Sequence, residues 1–389
     1  MWWWRSWYAI VLCGVDEKEW TIELMKIVFF TMSMSKGGAE RVISELCNYG
    51  AEHGHDMHIV TCLAGRSEYE LRNSIKLHSG TIAVDAYHSM NRLQSLGSFC
   101  KQYVSQIQAI QPDVVVSFLP EPCMITEICK PIIRKPIIGS VRSNPYYQYR
   151  SKIRRVFANA LYPMSDGFVF QTEDARNYFN KRVQAKSIII GNPVKKMDSV
   201  EYSARNCKKE IVSVGRFTYE KNYPLLIKAF QRVHKQKAEY HLKIYGKIDE
   251  RLGIRKLITS MGLDEYVHLC GQTDHIEQEI HNSAMYVLSS LSEGMPNALI
   301  EAMAIGLPVV ATDCPSGGPR QLIQDRKNGI LVENDNVVAL ADGMLEVLNN
   351  AELAEKLAHN AKKISEEYDR DKICAQWMDY IAHIMKGQV

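Results

Sequence analysis

The sequence predicts an α/β protein of two domains, each built around a doubly wound parallel β-sheet. Three observations lead to this prediction. From Lys26 onward, short apolar segments alternate with amphipathic ones, which is typical of buried parallel strands joined by helices. The alternation stops at the sequence Gly-Asn-Pro-Val after Ile190 and restarts at Glu210. The chain has 389 residues, more than one hydrophobic core usually serves.

In the first half, apolar segments of strand length are followed by loops and helices. The first helix is predicted over residues 39–53, because its apolar residues Val42, Ile43, Leu46 and Tyr49 share one helical face. Six strands are predicted, over residues 27–32, 57–62, 113–119, 136–141, 167–171 and 187–190. Residues 191–209 that follow, a glycine- and proline-containing turn and then a polar stretch, are predicted to be a linker.

The second half repeats the pattern. Six further strands are predicted, over residues 210–215, 241–245, 267–269, 284–288, 308–312 and 329–332. The domains are therefore predicted as residues 25–195 and 196–370, followed by a C-terminal helix within 371–389. Two such Rossmann-like domains face each other across a cleft, and ligands bind at the carboxyl ends of the strands.

Residues 1–24 do not fit the pattern. They begin with tryptophans, continue with a short apolar run and end in acidic residues, without the cleavage site of a signal peptide. An interfacial aromatic anchor is one interpretation. The other, which we favour, is an upstream extension, because Met25 opens the first predicted strand.

Composition is that of a globular protein, with 46% hydrophobic and 23% charged residues. No apolar run approaches the ~18 residues that a membrane-spanning helix needs. The ten cysteines include no C-x-x-C pair, so the sequence indicates neither a zinc site nor a disulfide framework. A reduced, cytoplasmic protein is the simplest interpretation.

Charge differs between the two halves. Residues 25–195 carry 21 basic and 13 acidic residues, a net charge of +8, whereas residues 196–389 carry 24 and 27, a net charge of −3. The basic excess is densest at 149–157, where Ile153, Val156, Phe157 and Leu161 fall at helical spacing. This segment is either a solvated helix or one that lies on an anionic membrane. No nucleic-acid-binding motif is present, so nucleic acid is not an expected partner.

The stretch from Glu293 to Thr312 is the strongest candidate for a functional site. It is predicted to form a strand end, a loop, a helix starting at Pro296 or Asn297, and a further strand after Gly306. The start of a helix offers unpaired N–H groups and a partial positive charge, which suit an anion or the hydroxyls of a polar ligand.

Two carboxylates flank this helix start. Glu293 precedes it, and Glu301 lies eight positions later, a little over two helical turns, on nearly the same side. The pair is typical of a solvated face, but the neighbours of Glu301 are too apolar for a mostly exposed segment. A partly buried carboxylate needs hydrogen-bond donors, and sugar or ribose hydroxyls would supply them.

At this point the sequence resembles the family 4 retaining glycosyltransferases, which use nucleotide sugars and have the two-domain GT-B fold. The resemblance rests on the E-x7-E pair, on the turn Gly294-Met295-Pro296-Asn297 and on the sequence after Gly306. The resemblance covers about residues 25–350. Within the family, the sequence is similar to the subgroup that extends lipid-linked oligosaccharides in bacterial glycan assembly. The resemblance also implies that the C-terminal helix packs back on the first domain.

A glycine-rich loop joins the first strand to the first helix. In it, Gly37 and Gly38 are followed by Ala39 and Glu40, and glycines let a ligand approach the backbone closely. A plain tight turn is the alternative. The loop is not a dinucleotide or P-loop motif. In the family it resembles, the loop faces the donor phosphates and the acceptor.

Two cations, Arg216 and Lys221, follow the first strand of the second domain. Asn222 is predicted to cap the next helix, which places both cations in a loop at the edge of the cleft. An ordinary basic surface loop is the alternative. In the resembled family an arginine and a lysine at this spacing neutralise the leaving diphosphate.

A metal held by carboxylates is the other way to stabilise a leaving diphosphate. The single D-x-D sequence, at Asp369 and Asp371, lies between C-terminal helical segments and far from any strand end. We therefore expect surface charge there, no metal site, no cofactor and a metal-independent reaction.

The acceptor side carries fewer signals. Segments 117–121 and 140–145 end strands of the first domain and are expected to open on the cleft, which makes Arg142 a candidate ligand. The second resembles an acceptor-domain segment of the lipid-linked-oligosaccharide subgroup, with Val141 replacing an acidic residue. The histidine that many family members carry nearby is absent. The donor base is expected near Gly246 and Gly271.

Together, the resemblance implies transfer of a sugar from a nucleotide diphosphate sugar, most often UDP-linked, to a hydroxyl of a glycan or lipid-linked acceptor at the inner face of the cell membrane. Arg216, Lys221 and the helix start would stabilise the leaving diphosphate, Glu301 would bind ribose, and Glu293 with Gly294 to Asn297 would orient the sugar. The alternatives are a nucleotide-sugar epimerase of similar shape and a non-catalytic partner subunit.

Overall fold

A computed structural model describes residues 24–195 and 201–387. Within these ranges the chain forms two parallel β-sheets, each covered by helices on both faces, as the sequence predicts. The predicted N-terminal extension lies outside the described residues except for Leu24. Residues 196–200 of the predicted linker also lie outside them.

The first sheet has seven strands. They are β1 (Lys26–Thr31), β2 (Asp56–Thr61), β3 (Lys76–His78), β4 (Val114–Phe118), β5 (Ile137–Ser140), β6 (Gly167–Phe170) and β7 (Ser187–Ile189). Their order across the sheet is β3-β2-β1-β4-β5-β6-β7, and all neighbours are parallel. Strand β3 was not predicted, because its sequence Lys-Leu-His contains a single aliphatic residue and remains partly exposed.

Eight α-helices accompany this sheet in the described part of residues 24–195. They are α1 (Gly38–Glu52), α2 (Val84–Ser89), α3 (Arg92–Ile110), α4 (Pro120–Ile133), α5 (Pro145–Gln148), α6 (Lys152–Leu161), α7 (Glu173–Asn177) and α8 (Lys181–Ala185). The central strands β1, β4 and β5 are almost completely buried, since helices cover both faces of the sheet.

The second sheet has six strands. They are β8 (Lys208–Val214), β9 (His241–Tyr245), β10 (Val267–Gly271), β11 (Ser283–Leu288), β12 (Val309–Thr312) and β13 (Ile330–Val332). Their order is β10-β9-β8-β11-β12-β13, again with parallel neighbours. All six correspond to predicted strands, with ends that differ by at most two residues.

Nine α-helices follow β8 in the described residues. They are α9 (Tyr223–His234), α10 (Ile254–Ser260), α11 (Ile276–Ile280), α12 (Asn297–Ile305), α13 (Gly318–Leu322), α14 (Val337–Asn349), α15 (Ala351–Ala361), α16 (Ile364–Glu367) and α17 (Arg370–Met385). Helix α12 begins at Asn297 after Pro296, and Gly306 follows it with a φ of 94°. This left-handed conformation suits glycine and confirms the predicted helix end.

The strand orders fix the place of the cleft. In the first sheet, the chain leaves β1 toward β2 and β3 and then returns to the other side of β1 as β4. The second sheet repeats this reversal, with β9 on one side of β8 and β11 on the other. A crevice opens at such a switch point, at the carboxyl ends of the strands. The loops after β1, β8 and β11 therefore carry the candidate residues into it.

The last helix, α17, packs on the first domain. Arg370 at its start pairs with Glu45 at 2.9 Å and with Glu52 at 3.0 Å, both on α1. Further along, the Tyr380 hydroxyl donates to the Lys186 carbonyl at 2.7 Å. The helix thus follows the second domain in sequence but is held by the first domain. Within the described residues, no helix is long and apolar enough to cross a membrane.

Candidate active site

The loops at the two switch points meet across the cleft. The side-chain amide of Asn297, the first residue of α12, lies 3.4 Å from the Gly38 carbonyl in the glycine-rich loop. Beside it, Lys36 forms an ion pair of 2.6 Å with Asp274 of the second domain. The glycine-rich loop therefore faces the start of α12.

Lys221 and Glu293, predicted from separate motifs, form an ion pair. The Lys221 Nζ atom lies 2.7 Å from Glu293 Oε1, and both side chains are largely buried. The Ser290 hydroxyl donates a second hydrogen bond of 2.6 Å to the same carboxylate oxygen. A carboxylate that accepts two donors is fixed in orientation, and it fixes the lysine beside the helix start in turn.

Hydrogen bonds to backbone carbonyls fix the loop that carries Lys221 against the loop that carries Glu293. The Ser289 hydroxyl donates to the Lys221 carbonyl at 2.9 Å, and the Leu291 N–H donates to the Glu220 carbonyl at 2.7 Å. The loop after β8 and the loop after β11 therefore form one unit. A displacement of either loop would move both charges together.

The backbone of Glu293 is anchored on its other side by the loop after β12. Its N–H donates to the Pro315 carbonyl at 2.8 Å, and the Ser316 N–H donates to its carbonyl at 2.9 Å. Gly318 lies so close that an added Cβ atom would stand 1.9 Å from the Gly294 carbonyl oxygen. Only glycine fits there, so the segment 314–320 sets the position of the Glu293 loop.

Glu301 is paired across the domains. Its carboxylate contacts the guanidinium of Arg41, which lies in the first turns of α1, and the Glu301 side chain is only 13% exposed. The opposite charge that this partly buried carboxylate requires thus comes from the first domain. Sequence reasoning missed Arg41, although it directly follows the glycine-rich loop that was singled out.

Arg216 is exposed at the mouth of the cleft. It is close enough to Glu40, at the start of α1, to oppose the rise in the pKa of Glu40 that burial causes. Burial would raise the pKa of Glu220 beside Lys221, but hydrogen bonds lower it, and the charge of Arg216 adds to this lowering. Arg216 therefore lies within electrostatic reach of the start of α1 and of Glu220, the residue before Lys221.

Asn192 joins the start of α12 to the first domain. Its side-chain amide donates to the Met295 carbonyl at 3.0 Å and to the Asn297 side chain. Its side-chain oxygen accepts from Arg142 and, at 2.7 Å, from Gln171. The sequence marked Asn192 only as the beginning of a linker. In the structure it couples the positions of the two domains.

Arg142 corrects one expectation. It was predicted to open on the cleft, but it is 8% exposed, and its guanidinium lies over the rings of Phe118 and Trp377 at 5.4 and 5.7 Å. Burial lowers the pKa of Arg142 to about 9. Trp377 belongs to α17, which covers this strand end and removes the arginine from solvent. The guanidinium of Arg142 therefore reaches the site through Asn192, while its backbone carbonyl lies against Gly294.

The predicted cap of α9 is also corrected. Asn222 precedes α9 with a left-handed φ of 49°, and its side chain bonds Asp335 at 3.1 Å instead of capping the helix. The remaining glycines occupy the expected loop ends. Gly37 is held through its backbone by the Tyr69 hydroxyl, and the Gly271 carbonyl accepts the Gly246 N–H at 2.7 Å.

Asp369 and Asp371 act within the fold. Asp369 caps the start of α17, and Asp371 contacts Arg370 at 2.9 Å. Across residues 24–195 and 201–387, no group of three or more His, Cys, Asp or Glu side chains is arranged to hold a metal ion.

Two family models match adjoining parts of the chain. The model for glycosyltransferase family 4 matches residues 36–196, and the model for glycosyl transferases group 1 matches residues 195–364. Between them they cover residues 36–364, which include every strand except β1 and the loops that carry Lys221, Glu293 and Gly318. The chain belongs to glycosyltransferase family 4. This glycosyltransferase therefore has the GT-B fold, with its cleft between the two matched regions.

Relatives with named activities match over nearly the whole chain. A Campylobacter jejuni protein named GalNAc-alpha-(1->4)-GalNAc-alpha-(1->3)-diNAcBac-PP-undecaprenol alpha-1,4-N-acetyl-D-galactosaminyltransferase is 26% identical, covering 93% of this chain and 99% of its own. A second C. jejuni protein, N-acetylgalactosamine-N,N'-diacetylbacillosaminyl-diphospho-undecaprenol 4-alpha-N-acetylgalactosaminyltransferase, is 24% identical, covering 92% and 100%.

Solved structures share the fold of this glycosyltransferase. Anabaena HepE, crystallised in complex with UDP, superposes with a TM-score of 0.73 at 17% identity, covering 92% of this chain and 100% of HepE. The fold of this chain therefore agrees with the family that the two models identify.

Proposed function

We propose that this glycosyltransferase moves a sugar from a UDP-sugar to a hydroxyl of a lipid-linked glycan, with retention of the anomeric configuration and without a metal ion. The observation that carries the proposal is the Lys221–Glu293 ion pair beside the start of α12. It brings a cation, an oriented carboxylate and the positive end of a helix into one cleft.

The leaving diphosphate would be stabilised by fixed charges. Lys221, Arg216 and the N–H groups at the start of α12 supply positive potential where negative charge develops during bond cleavage. Because Lys221 is held by Glu293 and by the joined loops, it needs no reorientation during the reaction. Such preorganised donors commonly contribute about 3–4 kcal/mol each to transition-state stabilisation.

The carboxylates would position the donor. Glu301, on the side of α12 that faces α1, would accept hydrogen bonds from the ribose hydroxyls. Glu293, together with the backbone of Gly294 to Asn297, would orient the transferred sugar. The base would lie near Gly246 and Gly271. The leaving phosphate oxygen would take the acceptor proton on the same face of the sugar, which leads to retention.

Two observations support a lipid-linked acceptor. Both C. jejuni relatives are named for polyprenyl-diphosphate-linked substrates. In addition, α6 exposes Ile153 by 69% and Val156 by 66% next to the basic Arg154 and Arg155. A helix with exposed apolar and basic residues fits an anionic membrane surface, and we place the reaction at the inner face of the cell membrane.

A screen of nucleotide sugars tests the proposal. The purified protein is incubated with UDP- and GDP-sugars, and the release of free nucleotide is measured with and without lipid-linked acceptors. We expect release from a UDP-sugar and, by NMR, an axial product linkage from an axial donor. Inversion of the linkage would overturn the retaining mechanism, and release from GDP-sugars alone would overturn the UDP preference.

A further inference from the structure

A cavity of about 590 Å³ lies between the two domains, beside the Glu293 loop. This volume is within the range of about 300–1,000 Å³ that is typical of ligand pockets. One wall comes from the first domain, at the start of α5 and the segment before α6. The other comes from three loops of the second domain, around residues 219–220, 291–292 and 313–320.

The cavity adjoins the proposed reaction centre. Ser292, Pro315 and Ser316 line it, and the last two hold the Glu293 backbone through hydrogen bonds of 2.8 and 2.9 Å. Two of its lining residues join the domains, since the Asn144 amide donates to the Ser292 hydroxyl at 2.8 Å. A molecule in this cavity would therefore lie one residue away from the carboxylate that orients the transferred sugar.

Aromatic rings and paired charges make up the lining. Tyr146, Tyr147 and Tyr219 contribute rings, and the Arg150 guanidinium lies 4.2 Å from the centre of the Tyr147 ring. Arg320 forms a two-point pair with Asp313, at 2.9 and 2.7 Å. The rings offer flat apolar faces, and the paired groups offer fixed donors and acceptors.

The charge balance selects the class of ligand. Two arginines, Arg150 and Arg320, face three carboxylates of the lining, Asp174, Glu220 and Asp313. A diphosphate would meet more negative than positive charge there. A neutral sugar suits the lining better, since its hydroxyls can bond both carboxylates and guanidinium groups while its apolar face stacks on tyrosine.

We propose that this cavity binds the glycan part of the acceptor, a neutral oligosaccharide whose terminal hydroxyl points toward the Glu293 loop. The proposal rests on the proposed function, which requires an acceptor beside the donor. It also agrees with the position of α6, because Arg150 lies two residues before that helix. An acceptor with its glycan in the cavity would extend its lipid along the exposed face of α6.

Ligand-observed saturation-transfer NMR tests this site. The probes are methyl glycosides of neutral di- and trisaccharides of hexoses and N-acetylhexosamines, added to the full chain with and without UDP. The variants are Tyr147→Ala, Tyr147→Phe and Tyr219→Ala, and Arg66→Ala serves as an exposed control outside the cavity. Phenylalanine at 147 keeps the ring and removes the hydroxyl that bonds Glu220.

We expect at least one glycoside to bind the wild type, to lose roughly tenfold or more in affinity in Tyr147→Ala and Tyr219→Ala, and to bind Tyr147→Phe and Arg66→Ala almost normally. Tyr219 is 70% exposed, so its substitution keeps the test valid if Tyr147→Ala fails to fold. If no glycoside binds, or if both alanine variants bind like the wild type, the cavity is not an acceptor site.

Titration with UDP separates this inference from the proposed function. A wild type that binds UDP but no glycoside would overturn the acceptor cavity alone. A wild type that does not bind UDP would overturn the donor site, whatever the glycosides do. The alanine variants should retain the UDP affinity of the wild type within about twofold, since none of them removes a proposed donor contact.

Discussion

The guanidinium of Arg41 contacts the carboxylate of Glu301, which joins the first helix of one domain to the first helix after the Glu293 loop in the other. Glu301 is thus held in place before any nucleotide arrives. A carboxylate has two oxygens and about four lone-pair directions, so Arg41 leaves acceptor sites for ribose hydroxyls. The pair also ties the position of α12 to that of α1 across the cleft.

Substitution of Glu301 tests its contact with ribose. We expect Glu301→Ala to weaken UDP binding roughly 10- to 100-fold, because hydrogen bonds to a charged group contribute about 1.5–3 kcal/mol. Isothermal titration with UDP measures the effect. The control ligand is 2′,3′-dideoxy-UDP, which lacks both hydroxyls and should bind wild type and variant equally. Equal UDP affinity in the two proteins would remove Glu301 from the site.

Substitution of Lys221 tests stabilisation of the leaving group. We expect Lys221→Met to lower kcat roughly 100-fold or more, since it removes a preorganised charge and leaves Glu293 without its ion-pair partner. Release of UDP under saturating donor measures this. Lys208→Met, at an exposed position of β8, is the matched control. A variant at position 221 that turns over like the control would contradict the mechanism.

Chelation tests independence from metals. The proposed charges on Lys221, Arg216 and α12 replace an ion, so we expect millimolar EDTA to leave the rate of UDP release unchanged. Added Mn²⁺ or Mg²⁺ should change it by less than about twofold. A reaction that stops in EDTA and resumes with Mn²⁺ would show that a metal neutralises the diphosphate instead.

Vesicle binding tests the exposed face of α6. We expect the protein to bind vesicles that contain phosphatidylglycerol, and the double variant Ile153→Gln and Phe157→Gln to bind roughly tenfold or more weakly, because both side chains are largely exposed. Co-sedimentation measures the affinity, and neutral phosphatidylcholine vesicles are the control for charge. Equal binding of variant and wild type to anionic vesicles would exclude α6 as the contact.

The stability of the first domain should depend on the protonation of Glu127. This residue is buried in α4, contacts the Ser165 hydroxyl, and burial raises its pKa to about 7 from an ordinary value of 4.5. Because the folded state holds the proton more tightly, its contribution is complete below pH 4.5 and is lost as the pH rises through 7. Across this window the loss is on the order of 3 kcal/mol.

Glu127→Gln isolates this effect, because glutamine resembles the protonated acid and does not titrate. We expect the variant to gain in relative stability from pH 5 to pH 8. The difference in urea midpoint between the two proteins measures it. A constant difference over this range would show that Glu127 does not change its protonation on unfolding.

The fold and part of the site follow from local sequence. Segments such as Val114–Phe118 are apolar apart from Ser117, and a fully buried parallel strand explains this pattern. The turn after Glu293 combines a proline and a later glycine at the two ends of one helix, so its geometry is also local. Strand β3 escaped prediction because its pairing with β2, and not its composition, makes it a strand.

Contacts between domains did not follow from the sequence. Asn192 reads as an ordinary turn residue, and its four side-chain partners come from segments up to 105 residues away. From the sequence, Arg142 is expected to be a cation at the end of a strand, open to the cleft. In the structure, Trp377 of the last helix covers it. The interdomain cavity likewise requires side chains from both domains. The sequence pattern of a single segment carries no information about contacts between side chains that are far apart in the chain.

The two places where the chain passes between the domains lie side by side. The Val194 N–H donates to the Tyr368 carbonyl at 2.9 Å, and Val194 bridges Asp369 in a short parallel pairing. The polypeptide thus crosses between the domains twice at one hinge, formed by Val194, Tyr368 and Asp369. A rotation of one domain relative to the other would take place about this hinge. Even a small rotation would therefore displace most strongly the part of the cleft that is farthest from Val194.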